Sequence, residues 1–397
     1  MRAGITAVVP VHTPRLVDGS LRRAVESVLA QELPVAAIAI AIDGLGEGAA
    51  ATRQRALDMV QTEWVAFLDA DDLWYPQHLR ILAALAADRG ADYCHSWWDG
   101  NHPFPEATHR GRAITGVADA HHTTITVLVR TELAQAVGFT EHPDAGPAGT
   151  AEDWLFTLRC LDRGAVFAGT GETTWHYTAD GKNSSGLASR WRPDRAQTGV
   201  TVVIPHIPPR RAELLRALDS ICAQSLLPAA VSIAVDLDRE GSAATRNRAL
   251  AAASTPYVAF LDDDDAFEVN HLAEVVPAAE RTGADVVYSG CTVVGPDGGI
   301  IPDREEWGRF GLPFDPDLLR RRSYIPVTSL VRTDLAQQVG GFRFAAGNPY
   351  DDHTFYLAML DAGASFAHHP VRTWVWNHHR PGSVGVTGNT SGRPDRW

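Results

Sequence analysis

The chain has 397 residues, more than one hydrophobic core usually organises, so two domains are the starting expectation. With 45% hydrophobic and 21% charged residues it belongs with folded globular proteins and not with disordered ones. A formal charge of −13, with Lys182 the sole lysine among 35 basic residues, argues against a surface built to follow nucleic-acid phosphates.

In chain order, Thr6–Pro10 reads as a short buried strand and Leu21–Ala30 carries apolar residues at helical spacing. Ala36–Ile42 is a second apolar strand, ending at Asp43. Ala50–Val60 reads as a helix and Trp64–Leu68 as a third strand, ending at Asp69. Pro76 is expected to open the next helix, where its missing N–H costs nothing, and that helix runs to about Arg89. Strand alternating with helix predicts an α/β protein with a largely parallel sheet and helices on both faces. Ligands in such sheets gather beyond the C-terminal strand ends, where Asp43 and Asp69 fall.

The chain then repeats itself. ATRQRAL (51–57) returns as ATRNRAL (244–250), and VAFLDADD (65–72) as VAFLDDDD (258–265), both at an offset of 193, since 244 − 51 = 258 − 65. VRTELAQAVGF (129–139) answers VRTDLAQQVGGF (331–342), and AEDWLF (151–156) answers YDDHTF (350–355). Shared order with insertions between motifs is the mark of duplicated domains, here expected over 1–190 and 196–397. The joint falls in the polar stretch 181–199, and Val200–Ile204 restarts the pattern of Ile5–Val9. The Gly-, Ser- and Thr-rich tail from Gly382 is expected to pack poorly.

Four widely spread cysteines, Cys94, Cys160, Cys222 and Cys291, form no C-x-x-C pair, which excludes a zinc ribbon and points to a reducing, cytoplasmic setting. The first residues run straight into a strand, so no signal peptide is expected, and no apolar run approaches membrane-spanning length.

The chemistry is concentrated in acidic residues. Asp69, Asp71 and Asp72 close an otherwise apolar strand, as Asp262, Asp263, Asp264 and Asp265 do in the second copy. Adjacent carboxylates repel unless a cation sits among them, and a hard divalent ion shared with phosphate oxygens suits such a group. One Asp would serve as a helix N-cap; three or four after a buried strand, twice over, exceed that need. A second acidic group, Glu152-Asp153 and Asp351-Asp352, precedes apolar residues at helical spacing and also suits a helix start.

FLDADDLWYPQHL (67–79) and FLDDDDAFEVNHL (260–272) resemble the D-x-D region of family 2 glycosyltransferases, which have the GT-A fold. The order of a VVPV strand, an Asp closing the second strand, A-x-R, D-x-D, V-G-G-F and E-D-W resembles that family too, in both copies. The resemblance implies two tandem GT-A domains, each α/β with a Rossmann-like, mostly parallel mixed sheet, and transfer of a sugar from a nucleotide-diphosphate sugar to a hydroxyl acceptor, with inversion. It implies that Asp43 and Asp236 contact the base or ribose, that Arg53 and Arg246 sit near the nucleotide and its diphosphate, and that Asp69 and Asp262 face the ribose and the metal. Asp71 and Asp264 would ligate Mn²⁺ or Mg²⁺, and Asp153 and Asp352 would be the general bases. WVWNHHRPGS (374–383) resembles the family's late histidine segment, which makes His378, with His379 as the alternative, a further metal ligand. The first copy has Ala179 and Asp180 there, with His176 three residues before Ala179. Its departure leaves open a reading in which one copy is a non-catalytic acceptor-binding or scaffold domain. A nucleotidyltransferase is the other alternative, although Val11–Arg15 lacks the glycines of a phosphate loop. The acceptor class stays broad: a glycan, a protein, a lipid-linked molecule or a small molecule bearing a hydroxyl.

Overall fold

The computed structural model describes residues 2–100, 125–140, 152–178, 194–301, 311–345 and 350–377. The chain divides into two units, Met1–Asp194 and Arg195–Trp397. Most of the polar joint, and the tail from Gly382, lie outside the described residues.

In the first unit the apolar run after Gly4 becomes β1 (Arg2–His12), whose Ala7, Val8 and Val9 are fully buried. β2 (Ala37–Asp43) and β3 (Thr62–Phe67) flank it in parallel, with Val8 opposite Ala39 on one side and Phe67 on the other. Helices α1 (Thr13–Val17), α2 (Ser20–Leu29) and α3 (Ala49–Asp58) lie between these strands in sequence. Next come β4 (Leu73–Trp74), α4 (His78–Arg89), β5 (Tyr93–Gly100), β6 (Val127–Arg130), α5 (Thr131–Val137), α6 (Glu152–Asp162) and β7 (Phe167–Tyr177). Across the sheet the order is β2-β1-β3-β6-β5-β7-β4. β6 enters antiparallel between β3 and β5, so the sheet is parallel through β2-β1-β3 and mixed beyond.

The second unit follows the same order. It comprises β8 (Val200–His206), α7 (Arg211–Cys222), β9 (Ala230–Val235), α8 (Ser242–Ala251), β10 (Tyr257–Phe260), β11 (Ala266–Phe267), α9 (His271–Thr282) and β12 (Val286–Val294). Then follow α10 (Pro316–Arg321), β13 (Ser329–Arg332), α11 (Thr333–Gln338), α12 (Asp351–Asp361) and β14 (Phe366–Asn377). Its sheet order is β9-β8-β10-β13-β12-β14-β11, with β13 the antiparallel insertion. The expected α/β class is therefore the observed one.

Pro76 differs from expectation. It sits in the turn before α4, and the helix starts two residues later at His78, with Gln77 as its cap. The reason lies in tertiary contacts that hold this start. The backbone N–H of Leu79 donates to Gln31 Oε1 at 3.0 Å, while Gln31 Nε2 donates to the Tyr75 carbonyl at 2.9 Å. Gln224 holds Leu272 and Glu268 in the same way. A buried glutamine thus satisfies backbone groups that the helix leaves unpaired, and ties α2 to α4 and α7 to α9.

Beside each glutamine lies a fully buried histidine. His78 Nδ1 is 2.6 Å from Thr174 Oγ1 and its ring stacks on Trp74; His271 Nδ1 is 2.7 Å from Thr373 Oγ1 and its ring stacks on Phe267. Burial pulls both imidazoles down to about 3. A folded-state pKa depressed below the unfolded value means stability fully present above about pH 6.5 and lost as pH falls from there toward 3. Denaturant melts of the full chain should show this loss, at about 1.4 kcal/mol per pH unit for each histidine. The double variant His78→Gln, His271→Gln should flatten it; an unchanged slope would assign the acid sensitivity to other groups.

Candidate active site

Each site is assembled from loops at the C-terminal ends of the first three strands and the N-terminus of a late helix. Asp43, the last residue of β2, is buried, and its carboxylate accepts hydrogen bonds from the backbone N–H groups of Gly46, Glu47 and Gly48. Asp236, one residue past β9, does the same for Glu240 and Gly241. These bonds wind the chain into a turn that ends at Gly48 (φ 91°) and Gly241 (φ 90°), a left-handed conformation that disfavours any side chain. Both glycines cap the helix carrying A-T-R. In the structure, Asp43 and Asp236 organise the loop that delivers the arginine.

Arg53 and Arg246 point from those helices into the gap between the strand end and α6 or α12. Arg53 Nη2 donates to Asp69 Oδ1 at 2.6 Å, and Nη1 donates to Glu152. Arg246 Nη2 donates to Asp262 Oδ1 at 2.7 Å and Nη1 to Asp351 Oδ2 at 2.8 Å, where Ser242 Oγ also donates. The two guanidiniums are buried, 5% and 3% exposed as residues. Burial alone would lower their pKa, but the surrounding carboxylates outweigh it and hold both above the ordinary arginine value. Beneath Arg246 lies the ring of Phe342, 4.7 Å from the guanidinium carbon.

The acidic run after the third strand divides by direction. Asp72 and Asp265 turn inward: Asp72 accepts from Thr178 N at 2.8 Å and Asp265 from Asn377 N at 2.9 Å, tying the loop to the ends of β7 and β14. Burial, reinforced by the neighbouring aspartates, holds both carboxyls well above the usual range. Asp263 is also structural. It accepts from Ile207 N at 3.1 Å and Arg210 Nη1 at 2.9 Å, and lies 2.8 Å from His206 Nδ1. The first copy has Ala70 and Val11, both buried, at the places of Asp263 and His206. Four aspartates in a row therefore overstate the chemistry: Asp262 and Asp264, like Asp69 and Asp71, are the pair with a role left to assign.

Sequence reasoning missed a second arginine. Arg15 Nη2 donates to Asp71 Oδ2 at 2.6 Å and Nη1 to Asp18 at 3.3 Å, with the side chain 2% exposed. Arg210 lies 3.1 Å from Asp264 as well as on Asp263. VVPVHTPR (8–15) and VIPHIPPR (203–210) share the Pro-Arg ending at one offset of 195, a signal present in the repeat but two residues out of step with the 193 of the neighbouring motifs.

The residues expected to hold a divalent cation are thus partly neutralised by arginine. The donor set nevertheless fits a hard cation, being made of carboxylate oxygens. Burial pushes the Asp264 carboxyl up to about 7, with Asp263 and Asp262 reinforcing it and Arg210 opposing it, so charge of one sign is crowded at this strand end. Among the described residues no three His, Cys, Asp or Glu side chains gather as a metal-binding group. His378, His379, Ala179 and Asp180 lie outside the described residues. His176 is turned to Asp99, 2.9 Å from Nδ1 to Oδ1.

Asp153 and Asp352 stand in the first turn of α6 and α12, next to the acid that the arginine grips. Asp153 accepts from Trp154 N at 2.7 Å and Asp352 from His353 N at 2.7 Å. Burial and the adjoining Asp351 push Asp352 up to about 7.

The sequence matches the family model described as Glycosyl transferase family 2 twice, over residues 44–140 and 234–340, together just over half the chain. The chain belongs to glycosyl transferase family 2. Both matched stretches of this family 2 chain contain the A-T-R helix and the D-x-D strand end. Solved structures similar to it include S. aureus TarS 1-349 in complex with UDP-GlcNAc, at 16% identity and a TM-score of 0.39, covering 56% of this chain and 66% of that one. The crystal structure of S. aureus TarS matches at 15% identity and a TM-score of 0.36, covering 56% of this chain and 40% of that one. The match thus spans just under two thirds of the first and two fifths of the second. No curated protein matches. Among the described residues no helix of this chain is long and apolar enough to cross a membrane.

Removing Arg210 leaves Asp263 buried without its cation. Arg210→Met should therefore destabilise the second unit by about 3 kcal/mol, while Arg210→Lys loses less. Equal stability of the Met variant and the native chain in denaturant melts would show that His206 alone sustains Asp263.

Proposed function

We propose that the protein transfers a sugar from a nucleotide-diphosphate sugar to a hydroxyl acceptor, inverting the anomeric configuration. The observation that carries this reading is the pairing, in both units, of a strand-end carboxylate pair with an acidic helix start across one buried arginine. Two carboxylate walls with separate duties are what an inverting displacement needs.

On one wall, Asp71 and Asp264 would hold Mn²⁺ or Mg²⁺. When bound, that ion neutralises the diphosphate leaving group as a Lewis acid. Asp69 and Asp262, fixed by arginine, orient the ribose side of the donor. On the other wall, Asp153 and Asp352 take the proton from the acceptor hydroxyl as its oxygen attacks the anomeric carbon. Each follows the arginine-bound acid by one residue in the first turn of its helix. A carboxyl raised to about 7 suits Asp352 for the task, because a base is most effective with a pKa near the working pH. Location in a reducing cytoplasm is part of the same proposal; all four cysteines are buried, and burial pushes the thiols of Cys94, Cys160 and Cys222 up to about 12.

Chelation with EDTA should abolish transfer, and Mn²⁺ or Mg²⁺ should restore it; full activity in excess chelator would remove the metal from the mechanism. Asp153→Asn and Asp352→Asn should each cut turnover of their own unit by about 10²–10⁴-fold, with nucleotide-sugar binding retained. Turnover carried by Asp352 should fall about tenfold per pH unit below pH 7, because only its ionised form accepts the proton. A rate independent of pH between 5 and 8 in an Asp153→Asn background would rule Asp352 out as the base.

A further inference from the structure

Arg53 and Arg246 have a geometry that does not suit a ligand of the donor. Both terminal nitrogens of each guanidinium are committed, one to the strand-end aspartate and one to the helix-start acid. The remaining nitrogen, Nε, is buried in both units and meets no acceptor among the described residues. Each terminal nitrogen keeps a second N–H, so what holds a diphosphate away is enclosure: reaching one would mean uncovering side chains of residues that are 5% and 3% exposed. The flat, five-donor fork of arginine is matched to the opposite task of spanning two carboxylates at a fixed separation.

We infer that Arg53 and Arg246 are positioning residues that couple the two walls of each site. Each clamps the first aspartate of the strand-end pair to the first acid of α6 or α12, and so sets where the next residue, Asp153 or Asp352, stands relative to the donor. The inference rests on the base assignment proposed above. The family resemblance implies a place for these arginines near the nucleotide and its diphosphate; the inference assigns their effect to the acceptor side.

The connection runs through bonds already described. Asp43 and Asp236 shape the loop, the loop starts the helix at Gly48 or Gly241, and the fifth residue after that glycine is the arginine. At the far end, Asp351 takes both the arginine and Ser242, and its Oδ1 accepts the backbone N–H of Asp352 at 3.0 Å. The base is therefore one hydrogen bond from the clamped side chain. Around Asp352 the charged and titratable groups are Asp351 and His353 on its own helix, Tyr356 one turn on, Arg246 from α8 and Asp262 from beyond β10. Arg246 is the cation in that set, and it favours the ionised base.

Three readouts on the full chain test this. The first is the titration of Asp352 followed by carboxyl ¹³C NMR, its signal identified by loss in Asp352→Asn. Arg246→Met should move that titration upward by about one pH unit or more. Arg246→Lys keeps the charge and should leave it near the native position. The second is turnover of the best substrate from a panel of UDP-, GDP- and dTDP-sugars, measured in an Asp153→Asn background. Arg246→Lys should lower kcat by about 10²-fold with KM changed less than threefold, since one ammonium cannot span both carboxylates. The third is calorimetric binding of UDP and GDP with Mn²⁺, which should stay within threefold of native in both variants. Binding weakened more than tenfold with the Asp352 titration unmoved would make Arg246 a donor ligand and overturn the inference. Native kcat in Arg246→Lys would also overturn it, and that variant decides the matter should Arg246→Met fail to fold. Failure of the base assignment is a separate result: Asp352→Asn, in the same background, would then turn over at the native rate.

Discussion

A buried guanidinium held between two carboxylates is the constraint around which each unit is arranged. Enclosing an arginine and two acids in a protein interior is costly unless every charge has a partner at hydrogen-bond distance. The cost is met by two charge-assisted bonds per arginine, and these fix a strand end, a helix and a second helix start relative to one another. Asp69 and Glu152 are 83 residues apart in the chain, Asp262 and Asp351 are 89 apart, and each pair meets at one side chain. Without the arginine, like charges would face each other across the same gap, and the two walls would separate.

The rest of the fold serves to hold this arrangement in place. The Asp43 and Asp236 turns, with their left-handed glycines, aim the arginine helix. Phe67 packs against Phe139 and Phe156, and Phe260 against Phe342 and Phe355, behind the clamp in each unit. The inward aspartates Asp72 and Asp265 tie the strand-end loop to the last strand. At the sheet edge the stacked histidine and the backbone-bonding glutamine set where α4 and α9 begin. The first unit adds an exposed Tyr75–Asp99–His176 group, whereas the second adds the buried His206–Asp263–Arg210 group. These additions differ in kind, so the units share a site frame while differing in its surroundings.

The family and the α/β class were legible from the sequence because they are carried by short, local patterns. Apolar runs ending in Asp mark strand ends, and a motif order repeated at nearly constant offsets makes coincidence an inadequate explanation. The identity of the two acidic walls followed from composition at those positions. No alternation or spacing, however, states which member of an acidic run faces inward. Asp71, Asp72, Asp263 and Asp264 look alike as letters, and their directions depend on whether Thr178, Arg15, His206 or Arg210 is the partner.

Sequence alone thus determined which elements form and which carboxylates are available, since strand and helix preferences and charge density are local properties. Tertiary structure decided which partner each charge takes. Arg53 and Arg246 lie in this fold between two protein carboxylates, and Arg15 and Arg210 emerge as their counterparts on the other strand-end aspartate. The physical reason is that an ion pair is set by distance in space between groups far apart in the chain, and only the packed sheet brings those groups within 3 Å of each other.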